Sequence, residues 1–210
     1  MARMKCFRNP RLSEKNMRLL SLTTITLIAL AGCGGSELPL VPPPNFDDLQ
    51  NTALSLWDAQ DAQSRTTLIA VRELSGTATY NGVGYFEVSG ETMPTTELVR
   101  GVMNVEVTFS DQTPDIDGMI DSFVSESGQS LQGQLDFSMS PQDDVFTGTR
   151  YPRFNTPLLG TLQVPGTQTV EDIDASIIGA FVGDDGQFIA GNIIDTSGPI
   201  RIDGGFVVQD

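Results

Sequence analysis

Hydrophobic and polar positions change character several times along the chain. Leu19 to Ala31 is a nearly continuous apolar run interrupted only by Ser and Thr, and Arg3, Lys5, Arg8, Arg11, Lys15 and Arg18 precede it. The run is shorter than the roughly 20 apolar residues that span a bilayer. A cationic start and an apolar core of about 7 to 15 residues are instead the pattern of an export signal, which predicts a signal peptide over 1–32. Between 34 and 46 no period is visible. Gly34-Gly35-Ser36 is flexible and Val41-Pro42-Pro43-Pro44 is stiff, so residues 33–46 read as a tether. Leu49, Ala53, Leu56 and Trp57 then recur at helical spacing behind Asp47 and Asp48, carboxylates that favour a helix N-terminus. This predicts a short helical lead-in within 47–67, with Trp57 packing on the domain C-terminal to it.

From about Leu68 alternation replaces helical spacing. Met103, Val105, Val107 and Phe109 point one way while Asn104, Glu106 and Thr108 point the other, and Leu135, Phe137 and Met139 alternate with Asp136 and Ser138. Period two is the signature of a half-buried strand. Strands are expected near 68–74, 76–89, 98–110, 118–126, 130–139, 145–150, 158–164, 173–182, 187–194 and 199–208. Asn81-Gly82, Asp117-Gly118, Ser127-Gly128, Asp185-Gly186 and Ser197-Gly198 supply turn signals. Short, regularly punctuated strands predict an all-β fold over 68–210, a small antiparallel up-and-down β-barrel of about eight strands.

Leu30-Ala31-Gly32-Cys33 closes the apolar run near the N-terminus. Small residues before a cysteine at the end of a signal core resemble the lipobox of bacterial lipoproteins. The resemblance implies cleavage before Cys33, acylation of its thiol and anchorage to a membrane. Two or more acyl chains hold a protein durably, at ~0.8 kcal/mol per buried methylene. Starting at Met1 or at Met17 leaves the motif intact. Gly34 follows the cysteine where Asp would imply retention at the inner membrane, so the outer membrane is the expected location.

Charge sharpens this picture. The leader holds 6 of the 12 Lys and Arg but 1 of the 27 Asp and Glu, leaving 6 arginines, no lysine and 26 acids after Cys33, a net of −20. Such a surface repels nucleic acid and anionic headgroups. Histidine is absent and the other cysteine, Cys6, lies in the leader. The usual His/Cys zinc sites, Ser-His-Asp chemistry and cysteine nucleophiles therefore lack their residues, and no metal or cofactor is expected. Only carboxylate chemistry remains open to an enzyme. No motif selects one acid pair at the roughly 5–10 Å of a glycosidase, so a non-enzymatic protein is expected.

The glycine pattern carries a family resemblance. Ser75-Gly76-Thr77-Ala78-Thr79-Tyr80-Asn81-Gly82 and Gly84-Tyr85-Phe86 open the β-rich part. Ile178-Gly179-Ala180-Phe181-Val182-Gly183, Phe188-Ile189-Ala190-Gly191-Asn192-Ile193 and Gly204-Gly205-Phe206-Val207-Val208 close it. Over roughly 75–208 this resembles the small barrel domain of transferrin-binding protein B and its bacterial relatives. The resemblance implies a side-chain-filled barrel, partners held by loops and outer edges, and surface delivery by the family's outer-membrane translocon. One barrel's worth of sequence, without a second lobe, gives no support for transferrin as partner. Phe86, Phe109, Phe137, Phe181 and Phe188 are expected to fill the barrel.

Two segments invite chemistry. Asp111, Asp115, Asp117, Gly118 and Asp121 suggest calcium, but Thr113 and Pro114 break the ligand spacing and no distal glutamate is in place, so a solvated acidic turn is expected; Asp184-Asp185-Gly186 reads likewise as a hairpin turn. Arg150-Tyr151-Pro152-Arg153-Phe154 places two of the six arginines beside two aromatics, in a loop that proline keeps out of the sheet. Arg and Tyr are enriched at binding hot spots, which makes Arg150, Tyr151, Arg153 and Phe154 the candidate partner-binding residues; the alternative is pairing of the arginines with surface carboxylates. The functional expectation is an outer-membrane lipoprotein, at the cell surface or on the periplasmic face, that binds a protein or small solute. The alternative is a structural or assembly lipoprotein facing the periplasm without a ligand.

Overall fold

The computed structural model describes residues 43–210 apart from 92, 94, 111, 112, 141–149, 196 and 197. The expected signal peptide, Cys33, most of the tether, Asp111, Ser197 and the strand near 145–150, save Arg150, lie outside the described residues. Two helices come first, α1 (Phe46–Asp61) and α2 (Leu68–Glu73). The strands are β1 (Gly76–Gly90), β2 (Glu97–Phe109), β3 (Asp115–Ser125), β4 (Ser130–Leu131), β5 (Gly133–Met139), β6 (Arg153–Gln163), β7 (Val170–Val182), β8 (Phe188–Asp195) and β9 (Ile200–Gln209).

The strands form an all-β, antiparallel, up-and-down barrel. They run β2-β1-β9-β8-β7-β6-β5-β3-β4 around the wall, and β2–β3 pairing closes it. The first and last strands meet over ten register pairs, from Asn81↔Gln209 to Gly90↔Ile200. Both β4 and β5 lie on β3 with only Gln132 between them, so they act as one wall strand and the barrel has eight.

Strand alternation decides what fills it. Tyr80, Phe86 and Val88 of β1, Met103 to Phe109 of β2 and Leu135, Phe137 and Met139 of β5 join one buried cluster with Phe123, Phe154, Phe181 and Phe206. An eight-stranded barrel is just wide enough for such side chains. Outward positions such as Glu106, Asp136, Asp172, Asp174 and Asp203 are exposed. Apolar inside and polar outside is the reverse of the pattern of a barrel whose outer wall meets lipid. Phe86, Phe109, Phe137 and Phe181 fill the interior as expected. Phe188 is also buried but stands outside that cluster, next to the inward Ile189, and so takes the other side of its strand.

Glycine is required where rings lie against the wall. A Cβ on Gly179 would stand 2.3 Å from Phe154 Cζ and 2.8 Å from Phe206 Cζ. One on Gly118 would stand 2.1 Å from Phe137 Cζ. This corrects the turn expected at Asp117-Gly118: the pair lies inside β3, opposite Val105 and Phe137, because glycine there makes room for an aromatic ring. Asn81-Gly82 likewise lies within β1. Ser127-Gly128 and Asp185-Gly186 do turn, with φ of 82° at Gly128 and 67° at Gly186.

The strand expected over 68–74 is a helix. Thr67 accepts from the Ala70 N–H at 3.2 Å and starts α2, a cap typical of Thr, and Val71, 2 % exposed, enters the barrel cluster beside Leu74. One apolar residue reaching the core from a single turn mimics the pattern of a short strand. Ahead of it, Thr66 donates through its backbone N–H to Phe181 O at 3.1 Å and through its hydroxyl to Gly183 O at 2.6 Å, tying the interhelix segment to β7.

The other helix forms as expected. Asn45 caps α1 by accepting from the Asp48 N–H at 2.9 Å, with Asp47 and Asp48 in the first turn. Its Leu49 and Ala53 bury against Val83, with Val102 alongside, on the outer face of β1 and β2. Burying one leucine contributes about 1.5–3 kcal/mol, enough to dock a short helix on the wall. Trp57 meets Tyr85 edge-on, ring centroids 6.2 Å apart.

Candidate functional site: the outer wall of the barrel

With the interior filled, concavity is found on the outer wall. A groove of about 760 Å³ crosses β1, β2, β3, β5 and β6. It arises at a seam. The β6 strand pairs with β7 over eleven positions but with β5 over four, ending at Asp136↔Leu159. If that register continued, Ser138 would face Pro157, which has no N–H to give. The Thr156 hydroxyl donates to Ser138 O instead, at 2.7 Å. A proline inside a sheet is tolerated only where a ladder bond can be spared, and the seam is such a place.

The groove joins apolar and acidic groups. Met119, Pro157 and Leu159 give an apolar floor, with Leu159 50 % exposed. Glu106, Asp117 and Asp136 also line it, and no Arg or Lys does. Gln134 holds Asp136 by donating to its two carboxylate oxygens at 2.8 and 3.0 Å. Three anions beside apolar surface suit a partner segment that carries cations on one side and apolar residues on the other.

The acids singled out for calcium are placed differently from expectation. Asp115, Asp117 and Asp121 belong to β3 and do not gather in a turn, since consecutive same-face positions stand about 6.5 Å apart along a strand. Asp184 and Asp185 do sit in the β7–β8 turn, closed by the Gly186 N–H donating to Gly183 O at 3.3 Å.

The Arg150 to Phe154 segment divides. Arg150 is exposed, its guanidinium 5.2 Å from the Tyr151 ring centre, and its carbonyl accepts from the Leu68 N–H of α2 at 3.0 Å. Arg153 is exposed but belongs to β6, paired with Ala180, so β6 starts five residues before the strand expected at 158–164. Phe154, 1 % exposed, lies in the core, with the Phe137 and Phe206 ring centres each 6.4 Å away. Arg150, Tyr151 and Arg153 thus remain at the surface while Phe154 is barrel filling. Arg153 shares the outer face of β6 with Pro157 and Leu159, roughly 13 Å from Pro157 at the rise of a strand.

Sequence reasoning passed over the residues beneath α1. Arg100 is 7 % exposed on the outer face of β2, and its only signal was a cation within an otherwise apolar stretch, Leu98 to Met103. The groove residues Met119, Pro157 and Leu159 come from different strands, and no single segment marks them.

Comparison of the chain with protein-family models, curated proteins and solved structures finds no match.

Proposed function

We propose that this protein is a lipid-anchored, non-enzymatic binding module that holds a protein partner on the outer wall of its barrel. The carrying observation is the contrast between a filled interior and an open groove at the β5–β6 seam, apolar at Met119, Pro157 and Leu159 and acidic at Glu106, Asp117 and Asp136. The partner offers an apolar segment bearing Arg or Lys. Arg150, Tyr151 and Arg153 provide a neighbouring contact for acidic or aromatic groups of the same partner.

The anchor is acylated Cys33, and the tether lifts the barrel from the outer membrane, at the cell surface in the transferrin-binding protein B-like reading. That reading rests on the glycine-aromatic motifs. They fall on the first strand, on β7 and β8, which pair with each other, and on β9. Among the described residues no helix is long and apolar enough to cross a membrane.

Quantitative capture from intact cells tests the proposal. The lipid-anchored protein is compared with a Glu106→Gln, Asp117→Asn, Asp136→Asn variant and with an Asp172→Asn, Asp174→Asn variant on β7. A partner lost about tenfold or more with the groove variant, and retained with the β7 variant, is expected. Equal recovery with both removes the groove from the binding surface. Fractionation of Cys33→Ser tests the anchor, which is expected to leave the membrane fraction.

A further inference from the structure

Arg100 is a buried cation with no carboxylate hydrogen-bonded to it among the described residues. Of its three guanidinium nitrogens, Nε donates to Gln50 Oε1 at 2.8 Å and Nη2 donates to the same oxygen. Nη1 is buried with no hydrogen-bond partner. The rings of Phe46 and Tyr85 lie 4.8 and 5.7 Å from its Cζ, so the guanidinium is held between α1 and β1 by cation–π contact and one amide. Burial pushes its pKa down, opposed by Tyr85 and Glu126. In a chain with 26 acids after Cys33, none among the described residues is paired with this buried arginine. A buried charge left unpaired is costly, which marks such a group beside a cleft as a candidate functional residue.

The backbone around Arg100 is also unusual. Opposite it the β2–β3 register shifts between Arg100 and Val102. At that bulge stands Ser122, with φ of 53°, the only non-glycine residue at positive φ among the described residues. Bulges gather beside functional sites because they re-aim neighbouring side chains, and left-handed backbone outside glycine stores strain of about 1–3 kcal/mol.

A cavity of about 410 Å³ opens beside the guanidinium, lined by Arg100, Gln50, Ala53, Leu54, Trp57 and Tyr85. That is within the usual range of small-ligand sites. It contains a cation, an amide and two aromatic rings, and no carboxylate. The acids Glu87 and Asp203 line a second, adjoining cavity that Arg100 and Tyr85 also border.

We infer that the cleft between α1 and the barrel wall binds an apolar monocarboxylate, its carboxylate on the Arg100 guanidinium and its apolar body against Trp57, Leu54 and Tyr85. The carboxylate supplies an anionic acceptor to a guanidinium whose hydrogen bonds go only to the neutral Gln50 amide, and charge-assisted bonds to guanidinium are the stronger kind. The apolar body covers the half-exposed Leu54 and the face of Trp57. This site is separate from the groove at the β5–β6 seam and stands whether or not that groove holds a protein.

Trp57 is the only tryptophan of the chain, so the site reports on itself. The full chain in detergent is titrated with benzoate, with its neutral analogue benzamide and with acetate, following Trp57 fluorescence and calorimetric heat. Benzoate is expected to saturate, and benzamide and acetate to bind at least about tenfold more weakly, one lacking the charge and the other the apolar body. Arg100→Gln should weaken benzoate by about tenfold or more. Leu54→Glu, at an exposed position, should do the same by placing a like charge at the cleft, with far-UV circular dichroism unchanged. Absence of saturable benzoate binding, equal binding of benzamide, or wild-type affinity in Leu54→Glu overturns the inference.

Discussion

Truncating Phe154 to alanine removes a ring that is 1 % exposed and lies nearly parallel to Phe137, 8° between planes, with Phe206 tilted against it. The space cannot readily be refilled, because the wall beneath the ring is the backbone of Gly179. Burial and cavity terms for such a change amount to about 3–5 kcal/mol, of which each ring pair supplies about 0.5–1.5 kcal/mol. A domain of this size has only about 5–15 kcal/mol in total. Equilibrium urea unfolding followed by Trp57 fluorescence should therefore show Phe154→Ala destabilised by about 4 kcal/mol with an unchanged m-value. Arg150→Ala and Arg153→Ala, both at exposed positions, should stay within about 0.5 kcal/mol of wild type. A Phe154→Ala midpoint within about 1 kcal/mol of wild type would refute the placement of this ring in the barrel core.

Gly118→Ala should cost about 1–3 kcal/mol by overpacking against Phe137, and Phe137→Leu in the same chain should recover part of it; additive losses in the double variant would contradict the contact. Thr156→Val should cost about 1–2 kcal/mol in urea unfolding, because Ser138 O loses its donor at the seam. Burial, and next the charge of Asp210, raise the Tyr80 pKa above its ordinary 10.0. A proton is then held by the folded state after the unfolded chain has released it, so stability is full below pH 10 and falls as pH rises above it, by up to about 1.4 kcal/mol per pH unit. Burial also raises Tyr85, so Tyr80→Phe should make the decline shallower without abolishing it; an unchanged slope between pH 9 and 11 would contradict the shift.

Much of the barrel was legible because alternation along one strand is local information. Met103 to Phe109 and Leu135 to Met139 face inward as their period requires, and α1 follows from Leu49 and Ala53. Two kinds of feature were not legible. Glycines beside Asn or Asp signal turns in isolation, but at Gly118 the reason for glycine is Phe137 on the neighbouring strand, invisible until the strands pair. Val71 matched a strand because one apolar residue plugging the barrel carries no period. The candidate sites suffered more. Phe154 looked like part of an exposed loop because Pro152 precedes it, yet β6 begins at Arg153. The α1 cleft joins Gln50 and Trp57 to Arg100 across the helix–wall interface, a juxtaposition with no trace in sequence spacing.

Site-specific photocrosslinking in intact cells tests the outer-wall binding role most directly. With the crosslinker at position 119 or 159 in the groove, one partner band is expected, lost when Glu106, Asp117 and Asp136 are made neutral. At position 174 or 192, on the outer faces of β7 and β8, no such band is expected. Equal crosslinking from both walls, or a groove band indifferent to those three carboxylates, would contradict it.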